Sequence, residues 1–69
     1  MTDQIKTLRR KSLIRIQFKD SGSAFRVQAG AGLRAKFISQ GESNVVLEWL
    51  GEPGSVIYVS RGDLAANWS

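Results

Sequence analysis

The chain has no cysteine, no histidine and only one proline among its 69 residues. Missing thiols exclude disulfide staples and thiolate metal sites, and missing imidazoles remove the usual general base. Nucleophile–base pairs built on His or Cys cannot be assembled, and the six carboxylates show no spacing suited to paired acid–base work. The inventory predicts a protein that is not an enzyme, with no cofactor and no metal site. No apolar run approaches the length of a membrane span, and MTDQIKTLRRK lacks the apolar stretch of a signal peptide. Together these absences predict a small, soluble, cytoplasmic protein with no membrane contact.

What is present is charge, unevenly placed. Through residue 36, nine basic residues (Lys6, Arg9, Arg10, Lys11, Arg15, Lys19, Arg26, Arg34, Lys36) face Asp3 and Asp20, a net +7. From residue 37 onward Arg61 stands against Glu42, Glu48, Glu52 and Asp63, a net −3. A basic half of this density is the footprint of polyanion binding, and a merely solvated face is its plain alternative. Residues 1–69 read as one domain. A domain this small buries roughly 60% of its unfolded surface and usually needs a staple or a partner. With staples excluded, an oligomer is expected.

The patterning is mostly β. Asp3 is placed to cap a short helix over about residues 3–11, with Ile5 and Leu8 on one side. Strands are then expected within residues 13–68. Ile14, Ile16 and Phe18 alternate with Arg15, Gln17 and Lys19, the mark of a half-buried strand. Ser21-Gly22-Ser23 turns the chain, and Phe25 and Val27 continue inward with Arg26 and Gln28 outward. Ala29-Gly30-Ala31-Gly32 breaks or bulges the strand before Leu33, Ala35 and Phe37 resume it. Residues 63–68 form a last short strand or a single helical turn. The expected architecture is a small, bent, five-stranded SH3-like barrel behind an N-terminal helix.

Three motifs fail on context. Gly30-Ala31-Gly32-Leu33-Arg34-Ala35 fits G-x-G-x-x-A, but no helix-length segment follows, so it reads as a loop. Arg61-Gly62-Asp63 and the sequon Asn67-Trp68-Ser69 both lack a secretory route.

The hairpin from Ser43 to Leu64 poses a sharper question. Val45-Val46-Leu47-Glu48-Trp49-Leu50 and Val56-Ile57-Tyr58-Val59 carry apolar side chains on both parities, so both strand faces want cover. Ser43-Asn44-Val45-Val46-Leu47-Glu48 resembles the first motif of Sm-like proteins, and Ser60-Arg61-Gly62-Asp63-Leu64-Ala65 is similar to their second. The resemblance implies a bent five-stranded barrel that assembles into a homo-oligomeric ring of six or seven subunits. In such rings the fourth strand pairs with a neighbour's fifth, which would put Val56, Ile57, Tyr58 and Val59 at an oligomer interface. It also implies binding of single-stranded, uridine-rich RNA, with Asn44 on a base edge, Arg61 stacked on it, and Gly62 and Asp63 shaping the loop.

Some positions depart from the family pattern. Glu42 stands where an aromatic residue or His is usual, Gln40 where Asp is usual, and Ile38 where Gly is usual. RNA has a second possible seat along the basic face of Arg9, Arg10, Lys11, Arg15, Arg26, Arg34 and Lys36. Two other readings stay open. Pro53-Gly54-Ser55-Val56 resembles a stretch of the plasmid-borne type B dihydrofolate reductases, although the Gln that follows there is absent here. A protein-binding barrel of a phage or mobile element, meeting an acidic protein through the basic face, is the other.

Overall fold

A computed structural model of the chain describes residues 4–69. Six antiparallel strands form one sheet: β1 (Ile5–Thr7), β2 (Ser12–Gln17), β3 (Ala24–Ala29), β4 (Arg34–Gln40), β5 (Asn44–Trp49) and β6 (Val56–Ser60). A helix, α1 (Arg61–Asn67), follows β6. Strand order across the sheet is β1-β4-β5-β6-β2-β3, so the sheet is open and β1 and β3 are its margins. The mainly β class agrees with the patterning; the closed five-stranded barrel does not. The count differs because the N-terminal segment adds β1, residues 63–68 take the helical alternative through Asn67, and the glycine-rich stretch breaks the chain instead of bending one strand. β3 stops at Ala29 and β4 starts at Arg34, with Gly32 between them at φ 99°, a conformation that costs glycine little.

The expected N-terminal helix is replaced by strand. Its proposed cap, Asp3, lies outside the described residues, while Ile5, Lys6 and Thr7 pair with Lys36, Ala35 and Arg34 of β4. So short a helix is marginal alone, and pairing with an existing sheet outweighs a capping signal. Leu8 then drops into the core at 1% exposure and bridges to Trp68.

Alternation along the strands sets the two faces. Ile14 and Ile16 of β2, Val45 and Leu47 of β5, and Ile57 and Val59 of β6 are buried on the inner face. Leu8, Ala29, Ala35 and Trp68 complete the core, with Phe18, Phe37, Trp49 and Leu64 packed against it. Each large aliphatic buried here stabilises the fold by about 1.5–3 kcal/mol. The one buried polar side chain, Ser55, has an Oγ without a hydrogen-bond partner among the described residues.

β6 lies in the interior of the sheet. Val56 to Tyr58 pair with Gln17 to Arg15 of β2 on one side, and Val56 to Ser60 pair with Glu48 to Asn44 of β5 on the other. The expectation that Val56, Ile57, Tyr58 and Val59 form an edge seeking a neighbouring subunit is therefore corrected. Their backbone is paired within the chain, and Ile57 and Val59 belong to the core. The hairpin's outer apolar residues, Val46, Val56 and Tyr58, are only half-buried. The Arg15 guanidinium lies 5.7 Å from the Tyr58 ring centroid, and Lys36 reaches Glu48 at 3.7 Å. Among the described residues, no helix is long and apolar enough to cross a membrane.

Candidate nucleic-acid interface

The segment Ser60 to Ala65 does not form a loop. Ser60 is the N-cap of α1, its Oγ accepting from the Asp63 N–H at 3.1 Å, so Arg61, Gly62 and Asp63 make the first helical turn. An acidic residue there suits the helix dipole. Asn44 pairs directly with Ser60, which brings Asn44 and Arg61 to the same end of the sheet. Arg61, however, is engaged locally. Its backbone N–H donates to the Ser43 carbonyl at 3.1 Å and its Nη1 to the Glu42 carbonyl at 3.3 Å. With the Gln40 amide oxygen turned toward the guanidinium, Nε and Nη2 donate to it at 3.1 and 3.2 Å. Arg61 ties the β4–β5 turn to α1.

Arg9 and Arg10 sit at the C-terminal end of α1, where Arg9 donates to the carbonyls of Ala65 and Ala66 and Arg10 to that of Ala66. Cations there offset the unpaired carbonyls and the negative end of the helix dipole. Lys11 is exposed between β1 and β2, and Arg34 is exposed at the start of β4. Lys36 is occupied by Glu48.

Arg15 and Arg26 belong to a cluster that strand register builds. On the outer face, strand register lines up Arg26 of β3, Arg15 of β2, Tyr58 of β6 and Val46 of β5 in one row across four strands. Arg15 stacks over Tyr58, and the Tyr58 hydroxyl donates to Gln17 Oε1 at 2.9 Å, which fixes the ring in place. A concavity beside the ring is lined by Arg15, Gln17, Asn44, Tyr58 and Ser60. A second, toward the helix, is lined by Leu13, Arg15, Arg26, Tyr58, Asp63 and Asn67, among others. Arg15, Arg26 and Asn44 are exposed, and Leu13 is 59% exposed beside them.

The cluster offers an aromatic platform, two guanidinium groups, and amides that both donate and accept. It has no paired carboxylates, and among the described residues no group of His, Cys, Asp or Glu is arranged to hold a metal ion. Asn44 was legible as a candidate from its motif. Arg15 and Arg26 were legible as members of a basic face for RNA, Tyr58 only as an oligomer-interface residue, and Gln17 not as a site residue at all. Their common signal is outward parity on strands that become neighbours. Comparison with family models, with curated proteins and with solved structures returns no match.

Proposed function

We propose that this protein binds single-stranded nucleic acid on the outer face of its sheet, centred on Tyr58 and Arg15. The observation that carries the reading is the row Arg26–Arg15–Tyr58 with Asn44 and Gln17 beside it. A base stacks on an aromatic ring or a guanidinium plane regardless of its identity, amides reach base edges, and arginines neutralise the phosphates between. The resemblance of the segments around Asn44 and Arg61 to Sm-like motifs favours RNA over DNA. The basic N-terminal half supplies the long-range attraction.

The test is fluorescence anisotropy with labelled oligo-U and oligo-dT of about 15 nucleotides, titrated over a salt series. Affinity should fall with salt by about 0.7 log units per log unit for each phosphate neutralised. Stacking on an aromatic contributes about 1–3 kcal/mol per base, so Tyr58→Ala should weaken binding roughly tenfold or more. Arg15→Ala should weaken it too and flatten the salt slope. Wild-type affinity in both variants would sink the reading, and oligo-U against oligo-dT tells RNA from DNA.

A further inference from the structure

The two margins of the sheet are not equivalent. Beyond β1, residues 67–69 add a short ladder: Thr7 N–H donates to the Ser69 carbonyl at 3.0 Å, Ser69 N–H to the Thr7 carbonyl at 2.8 Å, and Arg9 N–H to the Asn67 carbonyl at 2.7 Å. Beyond β3 no described segment adds a ladder. Among the described residues every ladder bond of β3 runs to β2. Chains that keep an edge single usually blunt it with charged side chains, Lys above all, with Pro, a bulge or brevity. Ala24-Phe25-Arg26-Val27-Gln28-Ala29 has six residues, a single charge at Arg26, neither Lys nor Pro, and unbroken register with β2 over all six. Phe25, on the inner face at this margin, is 50% exposed and is supported from behind by Phe18 at 6.1 Å between ring centroids.

The strand is also complementary to itself. In an antiparallel pairing about a two-fold axis through Val27, Val27 meets its own copy, Phe25 meets Ala29, and Arg26 meets Gln28. Apolar side chains then face apolar ones, and neither arginine opposes the other. We propose that β3 is the docking edge for β3 of a second copy, giving a two-fold dimer with one continuous twelve-stranded sheet. The occupant follows from the edge itself: its unpaired backbone fits any strand, and its side-chain sequence fits its own reverse without opposing like charges.

The pairing does not depend on any ligand. Its consequence rests on the nucleic-acid reading above: the two Arg26–Arg15–Tyr58 rows join into one outer face. Counted as five strand spacings, the two Tyr58 rings lie about 24 Å apart. An oligonucleotide long enough to reach both should bind more tightly than two short ones.

Sedimentation velocity on the whole protein without nucleic acid, over a concentration series, measures the dimer directly. Gln28 is exposed, so changing it leaves the fold of one chain intact, yet it faces Arg26 of the second copy twice per dimer. Gln28→Arg should weaken association by roughly tenfold and Gln28→Glu should tighten it by a similar factor. Hydrogen exchange on the wild-type chain should show β3 amides gaining protection as concentration rises. A single-chain mass throughout, or a dimer indifferent to both substitutions, overturns the proposal. A dimer that binds no oligonucleotide leaves the edge pairing standing and removes only the nucleic-acid reading.

Discussion

β1 and β3 are both marginal strands, yet the chain treats them in opposite ways. β1 has three residues, and its outer side is closed by the segment that follows α1. Leu8 and Trp68 lock that closure from inside at 1% and 5% exposure, and Arg9 fastens the helix end above it. β3 is twice as long and has an open flank with a half-exposed phenylalanine. Strand length alone does not say which margin is protected. What decides is whether a later segment returns to complete the ladder.

Substitutions can break or sharpen that contrast. Leu8→Ala should have the largest effect, costing about 2–5 kcal/mol because a fully buried leucine leaves a cavity. Urea titration gives the loss, and hydrogen exchange should show Thr7 and Ser69 opening before β5 and β6. A uniform loss of protection would mean the margin is part of the global unit instead of a separable clasp. Ser60→Ala removes the cap of the helix that carries the clasp and should cost about 1 kcal/mol. Ser60→Asp should recover most of it. Ser55→Ala lies away from both margins and should be neutral or stabilising by up to about 1 kcal/mol, since it removes a buried hydroxyl that lacks a partner. That variant also serves as a control, because it should leave exchange at both margins unchanged.

The sequence made some of this legible. Alternation placed Ile14 and Ile16 inward and Arg15 and Gln17 outward, and the turn at Ser21-Gly22-Ser23 lies where β2 returns as β3. The break at Gly30 to Gly32 was legible as a break or a bulge, and the structure selects the break. Adjacency was not legible. Whether β6 is an edge or an interior strand depends on β2, about forty residues earlier, and no local pattern encodes that pairing. The same gap explains Tyr58, whose surroundings of Arg15, Gln17 and Asn44 come from two other strands, β2 and β5. Arg61 carried a motif signal, but Ser60 is a good helix cap, and the chain coils there instead of looping.

The closure of β1 has a kinetic meaning. The Leu8–Trp68 bridge joins positions 60 residues apart, so its loop-closure entropy exceeds that of either hairpin beside it. The β4–β5 and β5–β6 hairpins close short loops and can form early, whereas the bridge must wait until the strands between are assembled. Leu8→Ala should therefore leave the refolding rate nearly unchanged and place almost all of its effect on the unfolding rate. The clasp is a latch that shuts last, and its strength is felt mainly as the time the native chain stays closed.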